Sequence, residues 1–203
     1  MYISKDLKQY IDDLASLNSV PGGGSASALS GAIGIALGSM VANFTLTNTK
    51  YKSGHSRMKQ LLKKNELLRR KMQLLIDKDV VVFLKLQDVM KIPKASRQRD
   101  LLLQKGLKEA ANIPHKICFL CQEAMIITEQ IAKIGNTNLI SDCGGAVHIL
   151  VAAFKSADLN VRINLKYIKD KRFINQKNKE LKNIFLLMVQ IEKRMIKEIE
   201  SYL

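Results

Sequence analysis

Residues 20–49 read VPGGGSASALSGAIGIALGSMVANFTLTNT and contain no charged side chain. The stretch is long enough to cross a membrane, but it contains too many serines and glycines for a good lipid-facing surface. Small residues recur at every fourth position, at Ala26, Ser30, Gly34 and Gly38. This spacing predicts a side-chain-poor stripe along which another helix backbone can approach closely. We therefore expect a central helix, packed between other helices or at a subunit interface, and no membrane contact.

Apolar residues at steps of three and four predict helices on both sides of this segment. A long helix is expected from about Met58 to Met90, where Pro93 ends it, and Pro114 is expected to start a new helix after a break. Strand-type alternation is nowhere convincing in the sequence. The prediction is an all-α fold, a single-domain bundle of about seven helices over residues 1–203 with long central helices.

The chain carries a formal net charge of +15, from 33 Lys and Arg against 18 Asp and Glu. That charge attracts polyanions, but it also fits lysines that only decorate solvated helix faces. A non-catalytic basic helical module that binds nucleic acid, an acidic protein or another polyanion is the alternative class, although the interleaved aromatics of single-strand binders and any nucleic-acid motif are absent from the sequence. Three cysteines without disulfide spacing, and no basic-apolar leader at Met1, favour a cytoplasmic protein.

The triple glycine Gly22-Gly23-Gly24 leads directly into the small-residue helix. Glycines remove every Cβ from a turn, so backbone N–H groups at a helix N-terminus become available to a ligand, and the helix dipole favours negative charge there. The spacing of a P-loop is missing, and no strand precedes the turn as a dinucleotide fingerprint requires. A ligand-binding turn and a simple flexible connection between helices both remain open.

Asp79 lies on the apolar seam of the long predicted helix, next to Leu75, Ile76, Val82 and Phe83. An acid in such surroundings loses hydration, so it must find a partner, bind a cation or hold a raised pKa. Pairing with a lysine, or a role in helix register, is the purely structural alternative.

Two further groups of residues could carry chemistry. Polar side chains are concentrated at residues 136–142, where they could orient a heterocycle or simply cap a helix. The spacing His115-x-x-Cys118-x-x-Cys121 suggests a metal site, but steps of three follow a helix face and no second ligand pair follows. We expect core cysteines there, a core histidine at His148, and no metal.

Three blocks of sequence then become recognisable in a fixed order along the chain. The first comprises residues 21–29 and 39–45, the second contains Asp79 with Phe83 and residues 89–90 and 92–94, and the third comprises residues 135–138, 141–142 and 160–164. Together they resemble the cyclodeaminase domain of the formiminotransferase-cyclodeaminase family, which also includes standalone bacterial methenyltetrahydrofolate cyclohydrolases. The match spans roughly residues 5 to 170.

The resemblance implies an all-helical homodimer that binds a tetrahydrofolate derivative, with or without a polyglutamate tail, near the glycine turn and the subunit interface. It implies that Asp79 is the catalytic acid and that no prosthetic group is needed. It also leaves room for a separate formiminotransferase partner. We expect the following residues to bind the substrate: Pro21, Gly22, Gly23, Gly24, Ser25, Asn43, Lys50, Tyr51, Asn136, Asn138, Ser141 and Asp142.

The reaction expected from the resemblance is cyclodeamination of 5-formimidoyltetrahydrofolate to 5,10-methenyltetrahydrofolate and ammonia. The cyclohydrolase reaction is the alternative within the family, and the sequence does not separate the two. The chain departs from the family at Thr47-Asn48, where a Gly-Lys pair is usual, at Ser27, where alanine is usual, and at Gly145, where valine is usual. Lys50 is the candidate to replace the missing lysine.

Overall fold

The structure is a computed structural model that describes residues 1–202, without the side chain of Arg97. Over these residues it contains helices, turns and bends and no strand, so the predicted all-α class is confirmed. The helices are α1 (Leu7–Ala15), α2 (Gly23–Thr47), α3 (His55–Lys91), α4 (Arg97–Ile134), α5 (Ile140–Leu165) and α6 (Lys171–Glu200). Short 3-10 turns occupy Tyr2–Ser4, Thr49–Gly54 and Thr137–Leu139.

Helices α2 to α5 form the core of the molecule. Helix α2 packs between α3 and α5, α4 packs against α3 and α5 on the other side, and α6 covers α4 and α5. The small residues of α2 allow α5 to approach it closely. A Cβ on Gly34 would lie 3.0 Å from Leu150 Cγ and 3.2 Å from the Ala146 carbonyl oxygen. The predicted central position of this helix is therefore confirmed.

Two segments, Gly23–Thr47 and Thr137–Leu165, are long and apolar enough to cross a membrane by length and composition. Half of the most apolar window of each is buried within the fold. Their positions as α2 and α5 in the core account for this apolar character, since both must pack against neighbouring helices.

Pro114 does not start a new helix, and this is where the predicted element count differs from the structure. It lies inside the continuous helix α4, so six α-helices are found over the described residues instead of about seven. A proline in a helix interior leaves the carbonyl four residues earlier without its N–H donor. Here that carbonyl belongs to Ala110, and the side-chain Nδ2 of Asn164 on α5 donates to it at 3.4 Å. A neighbouring helix thus supplies a donor where the proline has none.

Candidate active site

The glycine turn at the start of α2 is shaped by two side chains that lie against it. A Cβ on Gly24 would lie 2.1 Å from Asp79 Oδ1, and a Cβ on Gly23 would lie 3.0 Å from Asn160 Nδ2. A Cβ on Gly22, in contrast, would meet nothing within 4 Å. The absence of side chains at Gly23 and Gly24 therefore admits a carboxyl group from α3 and a carboxamide from α5.

Asp79 reaches the N-terminus of α2 from the middle of α3. The backbone N–H of Ser25 donates to Asp79 Oδ2 at 2.9 Å. Burial raises the pKa of Asp79 to about 6, and the hydrogen bond from Ser25 opposes this rise. Desolvation dominates because it disfavours the charged form more than one donor stabilises it. The carboxyl group therefore titrates close to neutral pH, where it can both take up and release a proton.

A cavity of about 270 Å³ opens beside this carboxyl group. Its walls are largely apolar, and Asp79, Asn160 and Asn164 supply polar side chains to them. Among the described residues that line it, none is lysine or arginine. The lining residues are Ser19, Val20, Gly22, Gly23, Gly24, Asp79, Val82, Phe83, Leu86, Met90, Leu107, Ala110, Pro114, Asn160, Ile163, Asn164 and Tyr167.

Asn160 and Asn164 are cavity residues that our list of substrate-binding candidates did not include. They lie four residues apart on one face of α5, so both reach the same side of the cavity. Both belong to residues 160–164, the last sequence block that carries the family resemblance. Their spacing of four residues within that block was the feature from which a shared site could have been predicted.

Two of the five predicted residues of the glycine turn do not line the cavity. Pro21 is buried, and Ser25 is fully buried, with its hydroxyl accepting a hydrogen bond from Tyr10 at 3.1 Å. The side chain of Ser25 therefore ties α2 to α1, and only its backbone N–H reaches Asp79. Gly22, Gly23 and Gly24 do line the cavity.

Comparison with known proteins identifies the family and the fold. Residues 6–183 match the family model described as formiminotransferase-cyclodeaminase. The chain belongs to the formiminotransferase-cyclodeaminase family. The resemblance inferred from the sequence is thereby confirmed, and the chain is an enzyme of folate one-carbon metabolism.

Individual members of this family are similar to the chain over most or all of its length. A methenyltetrahydrofolate cyclohydrolase of Methylorubrum extorquens is 36% identical, over 98% of this chain and 97% of its own length. The crystal structure of a formiminotetrahydrofolate cyclodeaminase from Thermotoga maritima has a TM-score of 0.90 at 33% identity, covering 99% of this chain and 98% of the other. The formimidoyltransferase-cyclodeaminase of Rattus norvegicus is 28% identical over 84% of this chain but only 32% of its own length. The chain thus spans about a third of that relative.

The cyclodeaminase-family chain also has a polar cluster at the other end of α2. The Tyr51 hydroxyl lies 3.2 Å from Thr137 Oγ1 and 3.4 Å from Asn136 Oδ1, and it accepts from the Thr137 backbone N–H at 3.1 Å. The backbone N–H of Asn138 donates to Asn136 Oδ1 at 3.1 Å. Lys50 lies beside Tyr51, and its Nζ is 5.7 Å from the centre of the Tyr51 ring. These hydrogen bonds join the turn after α2 to the turn before α5.

The remaining predicted binding residues lie on or near this second cluster. Asn43 is exposed on α2, Ser141 is exposed, and Asp142 is partly buried in the first turn of α5. Helix α2 has 25 residues, so about 37 Å separate its ends. One copy of the chain therefore does not unite the predicted substrate-binding residues in one site. They form two groups, one at each end of α2, because the helix is rigid and long.

Packing accounts for the three cysteines but not for His148. Cys118, Cys121 and Cys143 are buried free thiols, as predicted, and burial raises the pKa of Cys121 to about 12. The prediction for His148 is wrong, because its side chain is exposed and its Nδ1 lies 3.2 Å from Glu192 Oε1. It lies on the α5 face nearest α6, where an apolar sequence neighbourhood does not imply a buried position.

Proposed function

We propose that the chain is a formimidoyltetrahydrofolate cyclodeaminase, which forms 5,10-methenyltetrahydrofolate and ammonia from 5-formimidoyltetrahydrofolate. One observation carries the proposal: a carboxyl group with a pKa near neutral lies at the glycine turn and lines a mostly apolar cavity. The similarity to the Thermotoga maritima cyclodeaminase over nearly the whole chain supports it.

The reaction needs a group that moves one proton between two nitrogens. The formimidoyl group on N5 reacts as its protonated, amidinium form. N10 of the folate attacks the formimidoyl carbon, so a C–N10 bond forms, the π electrons of the C=N bond move to its nitrogen, and the tetrahedral carbon carries an NH2 group. Asp79 takes the proton from N10 and passes it to the amino nitrogen. That nitrogen then leaves as ammonia with the electron pair of the breaking C–N bond, and the methenyl cation remains. A single carboxyl group with a pKa of about 6 suits both transfers.

The ionised carboxyl group also stabilises the product electrostatically. The methenyl bridge carries a positive charge shared between N5 and N10, and Asp79 is the only acid among the described residues that line the cavity. In surroundings with few other polar groups, this attraction is stronger than in water.

Cyclohydrolase activity is the second candidate, and the 36% identity to the Methylorubrum extorquens enzyme over its full length favours it. In that reaction water adds to the methenyl carbon, Asp79 accepts the proton from the water, and the C–N5 bond breaks as N5 is protonated. The same carboxyl group performs the same kind of transfer with a different leaving group.

A two-substrate assay separates these candidates. Purified chain is supplied with 5-formimidoyltetrahydrofolate or with 5,10-methenyltetrahydrofolate, and methenyl absorbance and free ammonia are followed together. A cyclodeaminase releases one ammonia for each methenyl group formed, whereas a cyclohydrolase consumes methenyl absorbance without ammonia. We expect Asp79→Asn to lower either rate by about a hundredfold to ten-thousandfold. If Asp79→Asn matches the parent rate, the assignment of Asp79 is wrong.

The active enzyme is further proposed to be a homodimer whose site combines both polar groups. A two-fold axis through the middle of α2 would bring the glycine turn of one copy to the Lys50–Tyr51 cluster of the other. The charge-free sequence of α2 supports this, because its exposed residues include Ile33 and Phe44 and no ionisable side chain. The volume of the cavity, about 270 Å³, is also small for a whole folate, so residues from a second copy would be needed to complete the binding site.

The net positive charge is proposed to favour polyglutamylated folates. Lys91 and Lys94 follow the cavity residue Met90 at the end of α3, and Lys94 is exposed. Affinity should therefore rise with the number of glutamates and fall as salt is added. A cytoplasmic location fits the three free cysteines, and a separate formiminotransferase would supply the substrate.

A further inference from the structure

Asn164 presents an oxygen whose direction is fixed by its own nitrogen. Its Nδ2 donates to the Asn160 carbonyl oxygen at 2.8 Å and to the Ala110 carbonyl oxygen at 3.4 Å. Both hydrogens of the amide are therefore used by backbone acceptors, one on α5 and one on α4. The Oδ1 atom accepts no hydrogen bond from the described residues, and the side chain lines the cavity. Asn164 thus offers the cavity an acceptor that cannot be exchanged for a donor by flipping the amide.

Asn160, one helical turn earlier, is oriented by one of its two amide hydrogens. Its Nδ2 donates to the Ser156 carbonyl oxygen at 2.9 Å, and Gly23 leaves room for the carboxamide to lie against the glycine turn. Its Oδ1 likewise accepts no hydrogen bond within residues 1–202. The cavity wall on α5 therefore carries two oriented carboxamide oxygens, while Asp79 adds a carboxyl group from α3.

This distribution of polar groups selects a class of ligand. Two amide oxygens and the ionised carboxyl group of Asp79 only accept hydrogen bonds, while the hydroxyls of Ser19 and Tyr167 can donate or accept, so N–H donors satisfy most of this polar surface. No lysine or arginine side chain among the described lining residues offers a partner for a phosphate or carboxylate. The walls between the polar groups, including Phe83 and Ile163, are apolar and suit a flat ring. The cavity therefore fits a heterocycle with N–H groups on its edge better than an anion.

We propose that the carboxamide oxygens of Asn160 and Asn164 orient the pterin ring of the folate by accepting hydrogen bonds from its ring N–H and amino groups. This inference rests on the proposed folate reaction and assigns the part of the substrate that enters the cavity. The glutamate tail then leaves through the open mouth, away from the acceptors. The two asparagines hold the ring so that its bridging carbon faces Asp79.

Ligands that lack one donor test the proposal directly. Binding of tetrahydrofolate to the parent, Asn160→Ala and Asn164→Ala is compared with binding of two analogues, the 2-desamino form and the 8-deaza form, which lack the exocyclic amino group and the ring N8–H respectively. The parent should bind at least one analogue about tenfold or more weakly, because the acceptor left without its donor stays unpaired in the complex. The asparagine variant that loses the matching acceptor should bind that analogue and tetrahydrofolate with nearly equal affinity.

Asn65→Ala is the matched control. Asn65 is also a buried asparagine whose Nδ2 donates to a carbonyl of another helix, Ile35 at 2.8 Å, but it does not line the cavity. Its loss should lower the melting temperature without changing the preference among the ligands. Asn160→Ala keeps the test informative if Asn164→Ala does not fold, because the bond of Asn160 lies within its own helix.

The outcomes distinguish this inference from the proposed function. Equal losses of affinity for all three ligands in both variants would show that the two asparagines only support the fold, while turnover by the parent would leave the folate reaction standing. A parent that discriminates against neither analogue would overturn the pterin orientation. A parent that neither binds nor converts any folate would overturn the proposed function as well.

Discussion

At the scale of single residues, Gly24 and Asp79 depend on each other. A Cβ on Gly24 would lie 2.1 Å from Asp79 Oδ1, far inside van der Waals contact, whereas a Cβ on Gly22 meets nothing within 4 Å. Gly24→Ala should therefore displace the carboxyl group and lower kcat about as much as Asp79→Asn does. Gly145→Ala, on α5 outside the cavity, where a Cβ would meet only Leu37 Cδ1 at 3.9 Å, should keep kcat within about twofold of the parent. Steady-state assays of the two variants check this, and equal activities would mean that the position of Asp79 is not critical.

The raised pKa of Asp79 also predicts a gain in stability when the group is removed. The pKa of Asp79 is about 6 in the folded state and 3.8 ordinarily, so the folded state binds this proton more tightly than the unfolded state does. The stability that the protonated carboxyl group contributes is therefore complete below pH 3.8 and is lost as pH rises through 6. At pH 7 the ionised group is therefore a cost, and Asp79→Asn should raise the free energy of unfolding by about 1–2 kcal/mol, a discounted figure because the side chain is only partly buried. Urea unfolding at pH 7 and pH 4 measures it. The difference between variant and parent should shrink at pH 4, and an unchanged difference would contradict the desolvation argument.

At the scale of elements, the proline in α4 and the asparagine in α5 form one unit. Asn164→Ala should lower the free energy of unfolding by about 1–2 kcal/mol, because the Ala110 carbonyl then lacks both its helical donor and its replacement. In a Pro114→Ala background the helix regains the backbone donor, so the same change should cost less. A double-mutant cycle measured by denaturant unfolding checks this coupling. Purely additive effects would show that Asn164 does not compensate for the proline.

This pair also explains where sequence reasoning about elements succeeds and fails. The composition of α2 predicted its central place, because a stripe of small residues has few other uses in a packed helix bundle. The local chemistry of Pro114 favours a helix start, whereas the donor that lets it lie inside a helix comes from a residue 50 positions away. Tertiary contacts of this kind leave no mark in a local pattern.

At the scale of the whole molecule, the sequence pointed to part of the candidate site. Asp79 could be singled out because an acid on an apolar seam is conspicuous within one helix. Asn160 and Asn164 were overlooked as cavity residues, since each resembles an ordinary polar position until α5 is placed against the glycine turn. The sequence also could not predict that the two polar groups lie at opposite ends of α2. A family resemblance shows which sequence blocks belong to one site, but it does not show which copy of the chain supplies each block.

The proposed homodimer predicts that two inactive variant chains regain activity when they pair with each other. A site built from a single chain cannot give this result. If the glycine turn of one copy works with the Lys50–Tyr51 cluster of the other, an Asp79→Asn chain and a Lys50→Ala/Tyr51→Phe chain are each inactive alone. A heterodimer of the two contains one site with both defects and one site with none. Random pairing makes about half of the dimers mixed, and each has one of two sites intact, so about a quarter of the parental activity should return. Co-expression with two affinity tags isolates the mixed dimer for assay.

A second pair of variants controls for mixing itself. Asp79→Asn and Gly24→Ala both damage the glycine-turn half of the site, so their heterodimer has one defect in each of its two sites and should stay inactive. Rescue by the first pair and not by the second requires that a functional site draw its residues from two copies. Activity in neither mixed dimer, with dimer formation verified by size-exclusion chromatography, would mean that the Lys50–Tyr51 cluster serves some other purpose than completing the cavity at Asp79.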